Sequence, residues 1–349
     1  MLIEQVDPRH DSVFAEWFSV MRAAEEDTRP GEPGILLHEE RLLTLEGQGS
    51  DPDDRQLLLL ARDDAGPAVG SARLSLPQRD NPHLGELELA VHPAARRRGV
   101  GRALAGEVER LMRQDGRTTL LAYVDEPPSQ QGHSAGRAFA AALGWAWAQE
   151  EVARDLDLPV DPQRAAELEQ TCAPYAVDYA IRTWRHRCPD ELLEDRALLM
   201  RRMSTDVPLG EIDLQEEEWD GARVRRVEQC NAGMDRGFFS AGAVHRPTGR
   251  LVAFTDMSVP RSVPERAYQC DTIVLKEHRG HRLGTLVKLA ALQSLAAGSP
   301  RTRYISTWNA EENTPMIAVN EALGARTNGR SPCFQRVLAV GEETGLVRR

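Results

Sequence analysis

Lysine is nearly missing from this chain: of 43 basic side chains in 349 residues, only Lys276 and Lys288 are lysines. The phosphate-binding signature G-x-x-x-x-G-K-[ST] is thereby excluded, because no lysine follows any glycine pair. Together with the alanine content, the arginine preference reads as a coding bias. No apolar run reaches the length needed to span a bilayer as a helix. The opening residues, MLIEQVDPRHDS, carry acids and lack a basic-then-apolar leader, so a cytoplasmic location is expected. Cysteine is scarce and scattered at Cys172, Cys188, Cys230, Cys270 and Cys333, with no C-x-x-C spacing, which argues against a disulfide framework and a zinc site. Cys270 beside Asp271 is a candidate nucleophile, set against the commoner small buried residue. A formal charge of -11 disfavours nucleic acid or anionic membrane as a general partner.

Two stretches organise what is present. Leu89 to Leu104 reads LAVHPAARRRGVGRAL, and Thr272 to Val287 reads TIVLKEHRGHRLGTLV. Each passes from a short apolar β-type run through an Arg/Gly loop into a helix-patterned segment. In the first loop, Gly99 and Gly101 let the backbone approach an anion without Cβ interference. Free N–H groups and the positive end of the helix dipole favour a diphosphate there, and the arginines add charge-assisted hydrogen bonds. The dinucleotide fingerprint G-x-G-x-x-G is not met, since Arg102-Ala103-Leu104 follows Gly101. Aligning Arg96 with Arg279 gives an offset of 183, which also pairs Val91 with Val274, Glu88 with Asp271 and Gly101 with Gly284. Repetition of motif and element order points to a duplicated unit, and the length suits two domains rather than one.

Helical spacing is expected at Pro8 to Glu26, Leu36 to Leu45, Gly101 to Gln114, Ser134 to Leu143, Asp190 to Met203, Trp219 to Gln229 and Gly284 to Leu295. Strands are expected at Gln56 to Ala61, Ala68 to Leu76, Gly85 to Val91, Thr118 to Val124, Tyr179 to Trp184, Phe239 to His245, Leu251 to Val259, Ala267 to Val274 and Tyr304 to Thr307. The turn at Asp63-Asp64-Ala65-Gly66 suits a hairpin. Residues 161–177, with Pro162 and Pro174 but little Gly or Ser, read as a join between domains 1–160 and 178–349.

The pattern R/Q-x-x-G-x-G/A after a strand, with Val91-His92-Pro93 before it and Ala142-Leu143-Gly144-Trp145 closing the unit, resembles the GNAT acyltransferase superfamily. The two-copy arrangement is similar to mycothiol synthase-like tandem acetyltransferases. The resemblance implies an α/β (α+β mixed) fold of two tandem GNAT domains. Each would hold a mixed, mostly antiparallel twisted sheet with splayed central strands flanked by helices. It implies acetyl-CoA as cofactor, transfer of acetyl to an amine of a small-molecule acceptor, no nucleic-acid or membrane partner, and a monomer or homodimer. The rival reading is a non-catalytic acyl-CoA sensor or scaffold.

By the same resemblance, Leu89, Ala90 and Val91 hold the first pantetheine arm and Ile273, Val274 and Leu275 the second. The diphosphates fall to Arg96, Arg97, Arg98, Gly99, Val100, Gly101 and Arg102, and to Arg279, Gly280, His281, Arg282, Leu283, Gly284 and Thr285. Arg282 stands where the first glycine belongs and needs a permissive backbone angle. Asn309 and Asn313 are expected at the second cofactor, or as caps of the next helix. Glu88 and Asp271, carboxylates at equivalent positions, are the expected catalytic bases, and Glu86 is demoted because it aligns with Gln269. The family's tyrosine on the last helix is replaced by Ala140 and Asn320, so Asn320 is carried as a catalytic candidate and the second copy is the expected catalytic one. Tyr123 and Ser306 align on the following strand and are expected to face the cleft. His278 and His281 are candidate proton carriers, and Asp11, Glu25 and Glu26 candidate contacts for a cationic acceptor.

Overall fold

The structure, a computed structural model, describes residues 1–46, 54–64 and 66–339. The chain opens with β1 (Leu2–Val6), α1 (Asp11–Thr28) and α2 (Leu37–Glu46), then β2 (Arg55–Arg62), β3 (Ala68–Leu76) and β4 (Leu84–Val91). Helix α3 (Val100–Gln114), β5 (Thr119–Tyr123), α4 (Ala135–Ala142) and β6 (Ala146–Asp157) complete the first series. α5 (Pro162–Cys172) and a 3-10 turn (Ala173–Tyr175) lead to the second. That series runs β7 (Tyr179–Arg185), α6 (Leu193–Asp206), α7 (Gly221–Gly233), β8 (Arg236–His245), β9 (Arg250–Pro260), β10 (Arg266–Val274), α8 (Leu283–Gly298), β11 (Tyr304–Ala310), α9 (Thr314–Leu323) and β12 (Arg326–Val337). The expected helices and strands are present within a few residues. Ala65 of the expected hairpin turn lies outside the described residues, and its flanking strands β2 and β3 pair antiparallel.

Three strands escape the sequence reading: β1, β6 and β12. The last two set the architecture. All twelve strands form one sheet in the order β1-β2-β3-β4-β5-β12-β6-β11-β10-β9-β8-β7. Each series thus contributes five strands to its own half and sends its sixth across. β12 pairs with β5, from Val337 opposite Thr119 to Cys333 opposite Tyr123, and β6 pairs with β11, from Asp157 opposite Tyr304 to Glu151 opposite Ala310. The two exchanged strands then pair with each other. Phe334 and Leu338 accordingly lie in the apolar core of the first half, and Leu156 in that of the second.

Helix α1 shows how the local pattern is used. Phe14, Trp17 and Val20 recur at helical spacing and are buried, while Trp17 Nε1 donates to the Ala72 carbonyl at 3.1 Å and Ser71 Oγ donates to the Trp17 carbonyl at 2.9 Å. Those bonds fix the helix on β3. Likewise α3 buries Val100, Leu104, Ala105, Val108 and Met112 on one face. A segment of the second series, 207–220, runs across the first half, where Glu211 N–H donates to the Ala148 carbonyl at 2.9 Å and Gln215 N–H to Asn81 Oδ1 at 2.7 Å.

Because β12 completes the first half, truncating its core residue is felt there. Phe334→Ala is expected to destabilise the protein by about 3 to 5 kcal/mol, the range for removing a buried aromatic ring. In hydrogen exchange the lost protection should appear in β5 and α3 rather than in β8 and β9.

Candidate active site

Both Arg/Gly loops adopt one backbone course. After β4 the chain makes a 3-10 turn at Pro93–Ala95. Arg96 then folds back, its Nε donating to the Val91 carbonyl at 3.4 Å and its Nη1 to Asp27 at 2.6 Å. Arg279 does the same with the Val274 carbonyl at 3.2 Å and Asp206 at 3.3 Å. These two arginines, expected at the diphosphate, brace the loop against its own strand. Next come two left-handed positions: Arg97 (φ 64) and Gly99 (φ 84) in the first loop, Gly280 (φ 86) and Arg282 (φ 56) in the second. At the offset of 183 they are the same positions with glycine and arginine exchanged. Arg282 therefore adopts the angle it was expected to need.

Gly99 and Arg282 are the N-caps of α3 and α8. The N–H groups of Val100, Gly101 and Arg102, and of Leu283, Gly284 and Thr285, lie in the first helical turn, where no helical carbonyl precedes them. The first loop is open, with Arg97, Arg98, Gly99 and Arg102 exposed. The second loop is equally open at the equivalent Gly280, His281 and Arg282, and differs in that Gly284 and Thr285 are buried where Gly101 is half-buried and Arg102 exposed.

The strands before and after each cradle part company. β4 and β5 pair in parallel only from Leu84 opposite Thr119 to Glu86 opposite Leu121, although β4 continues to Val91. β10 and β11 pair from Arg266 opposite Tyr304 to Tyr268 opposite Ser306, although β10 continues to Val274. Beyond those rungs the backbone of Leu89–Val91 and of Ile273–Val274 has no partner strand on the splayed side. β10 also carries a bulge between Gln269 and Thr272 against β9, which re-aims Cys270 and Asp271. No such irregularity interrupts β4 against β3.

A cavity of about 760 Å³ joins the two points of divergence. Its first-half wall includes Glu86, Leu121 and Tyr123. β6 adds Gln149 and Glu151, and the second half adds Cys270, Asp271, Lys288, Asn309 and Asn313. Leu209, Ile212, Leu214 and Trp219, in and beside the 207–220 segment, close one side. The arginines on the wall are committed to carboxylates: Arg196 to Asp256, Arg223 to Asp80 and Arg236 to Glu39.

Glu86, Glu151 and Asp271 lie on the same wall. Burial pushes the Glu86 carboxyl up to about 7, helped by the neighbouring charge of Glu88. Burial raises Glu151 to about 7 and Asp271 to about 6. Glu86 is exposed at the cavity surface and Glu151 and Asp271 are half-buried there, with protein crowded around each. Burial lowers Lys288 to about 7, raises the Tyr123 phenol, and pushes the Cys270 thiol up to about 12. Cys270 is exposed to the cavity, not the small buried residue expected, and its thiol is held protonated, the wrong state for a nucleophile.

The structure sorts the other sequence-predicted residues. Asp271, Asn309 and Asn313 reach the cavity, whereas Glu88 accepts from Arg73 at 3.0 Å, and Arg73 also pairs with the buried Glu40. Asn320 is buried, accepting from Lys288 Nζ at 2.7 Å and donating to Asn309 Oδ1 at 2.7 Å. Asn313 caps α9, its Oδ1 accepting from Met316 N–H at 3.4 Å. Tyr123 faces the cavity, but Ser306 is turned to Asp155, to which its hydroxyl donates at 2.6 Å. His278 Nδ1 is 2.9 Å from the Tyr179 hydroxyl and His281 Nδ1 is 2.9 Å from the Tyr175 carbonyl. Asp11 pairs with Arg41 and Glu25 with Arg22. The cavity also holds Glu86, demoted above although its alternation with Leu87 puts it on the open face, Glu151, on a strand not foreseen, and Lys288.

Against known proteins, residues 17–145 match the model of the acetyltransferase (GNAT) family. Among solved structures, a tandem GNAT protein from the clavulanic acid biosynthesis pathway is similar at 29% identity and a TM-score of 0.78, covering 98% of this chain and 99% of that one. A GCN5-related N-acetyltransferase from Sphaerobacter thermophilus shares the fold at 15% identity and a TM-score of 0.64, covering 96% and 95% of the two chains. A search of curated proteins found no match. The chain shares the fold of the tandem GNAT protein over 98% of its length, and residues 17–145 match the GNAT family model. Among the described residues no helix is long and apolar enough to cross a membrane.

The raised carboxylates have a consequence for stability. A carboxyl whose folded pKa lies above its unfolded value favours the folded state most below the unfolded value and loses that contribution as pH rises to the folded one. For Glu151 the window runs from 4.5 to about 7. Glu151→Gln, which removes a charge that burial disfavours, is expected to raise the melting temperature at pH 8 relative to the native chain. At pH 4 the difference should shrink, as scanning calorimetry at the two pH values would show.

Proposed function

We propose that the chain is an acyl-CoA-dependent N-acyltransferase that moves an acyl group, acetyl first among them, from coenzyme A to an amine of a small-molecule acceptor. Residues 1–160 and 178–349 are then its two GNAT units in chain order, trading their last strands. The observation that carries this reading is the loop with exposed Arg97, Arg98 and Arg102 that follows a strand edge coming free just after Glu86, where a cavity of about 760 Å³ begins. Five free cysteines are compatible with a reducing, cytoplasmic setting.

The residues of the first unit fit the cofactor. The first-turn amides of Val100, Gly101 and Arg102 point along the positive end of α3, and the exposed Arg97, Arg98 and Arg102 supply charge for a diphosphate. The free edge of Leu89, Ala90 and Val91 offers backbone groups to the pantetheine amides. Coenzyme A, when bound, supplies the acyl group as an activated thioester.

The chain's own part is to place the amine and move its protons. The cavity holds the acceptor out of bulk water, where an amine must be neutral to attack. Glu86 stands at the last paired rung of β4 and β5, and a carboxyl held near 7 can take a proton from an ammonium group close to neutral pH. Tyr123, on the opposite strand of the splay, keeps its proton and is placed to donate one to the leaving thiolate. Asp271 and Glu151 make the wall attractive to a cationic acceptor. Glu88, held by Arg73, serves the fold.

Purified protein given acetyl-CoA and a panel of amines is expected to release free thiol, with kcat/KM rising with pH through about 7 as Glu86 loses its proton. Glu86→Gln should lower kcat by a factor of about 100 or more, the usual contribution of a general base. Asp271→Asn should act mainly on the acceptor KM. Tight acetyl-CoA binding with no thiol released by any amine would favour the sensor reading.

A further inference from the structure

The arginines on the cavity wall each face a carboxylate, at Asp256, Asp80 or Glu39. Lys288, on the second turn of α8, is held differently. Among the described residues no carboxylate stands within ion-pair distance of it, and its Nζ donates at 2.7 Å to the side-chain oxygen of Asn320. Asn320 donates in turn to Asn309 Oδ1 at 2.7 Å, which turns its own oxygen to the lysine. A neutral acceptor leaves an ammonium without a counter-charge on a residue only 3% exposed, and burial lowers Lys288 to about 7. Asp271, on the same wall, takes its charged surroundings from Arg196, Asp256 and Glu217.

Of the thiol, phenol and amine groups lining this cavity, the amine is the one in its reactive form near neutral pH. Burial pushes the Cys188 and Cys270 thiols up to about 12 and raises the Tyr123 phenol, so all three keep their protons. The same burial takes the proton off an amine. A solvated lysine titrates near 10.4, so about one in a thousand is neutral at pH 7.5, whereas at a value of about 7 most of the population is neutral. A neutral Nζ with one N–H committed to Asn320 keeps its lone pair for an electrophile.

We propose that Lys288 is a self-acylation site: a coenzyme A thioester reaching the cavity transfers its acyl group to Nζ, and the chain carries the product as an acyl-lysine. The inference rests on the acyl-CoA reading above. The Nζ lone pair attacks the thioester carbonyl, the N–C bond forms, the C–S bond breaks, and the proton lost by the nitrogen leaves with the thiol. The new amide keeps one N–H, enough for the bond to Asn320 Oδ1, and the acyl group has the cavity to extend into, where Asp271 and Asn309 also stand. An acyl-lysine takes up no proton, and an amide persists. The modification therefore removes the wall's amine and narrows the space left for an acceptor.

Peptide mass spectrometry of the full chain after incubation with acetyl-CoA at pH 7.5 tests this. Lys276, the other lysine, is exposed and serves as the internal reference. Acetylation at Lys288 is expected to run at least 10-fold faster than at Lys276. Its rate should rise with pH and level off above about 7, where that of a model lysine peptide is still rising. Asn320→Asp, which sets a carboxylate opposite the amine and holds its proton, should slow it at least 10-fold at pH 7.5. Lys288 left unlabelled, or labelled no faster than Lys276, in a sample that binds acetyl-CoA or releases thiol with an amine would overturn the inference and leave the acyl-CoA reading in place. Acetyl phosphate, which needs no coenzyme A site, separates the two failures. If it labels Lys288 while acetyl-CoA neither binds nor reacts, the acyl-CoA reading falls and the thioester donor falls with it.

Discussion

β5 receives its antiparallel neighbour from the far end of the polypeptide, and everything at the centre of the molecule depends on that pairing. A strand that leaves its parallel partner after three rungs, as β4 leaves β5, exposes an edge, and exposed edges are stable only if the sheet is held elsewhere. β12 holds it on one side and β6 does the same for β11. Because β6 and β12 also pair with each other, the two openings sit in a single continuous sheet at a set separation, and one cavity can reach both.

That cavity is unusual in its charge accounting. The arginines on its wall are matched to carboxylates, and Glu86, Glu151 and Asp271 line it together with Lys288. Burial shifts all four toward their neutral forms, since a low-polarity surrounding penalises charge of either sign.

The two copies have kept the costly part of the loop and varied the rest. Both retain two left-handed residues and the arginine folded back on the strand carbonyl, because those features turn the chain from strand into helix. What differs is the packing behind the loop: Ala105 and Ala140 in one copy, the hydrogen-bonded Lys288 and Asn320 in the other. Asn320, carried as a catalytic candidate, and Asn309, expected at the cofactor, are hydrogen-bonded to each other, and Asn320 also accepts from Lys288.

Sequence by itself determined the duplicated strand–loop–helix unit, the helices and most strands, since these follow from short-range periodicity, glycine placement and a repeat visible at one offset. It also placed Glu86 and Glu88 on one face of β4. Only the tertiary structure gave them different surroundings: Arg73, 15 positions from Glu88, reaches it across β3 and β4, while Glu86 lines the cavity. The exchange of β6 and β12, the Glu151 that β6 brings to the cavity, and the Lys288–Asn320–Asn309 hydrogen bonds were likewise beyond reach. Each depends on which distant segments pair, and a strand's own alternation is the same whichever neighbour it finds.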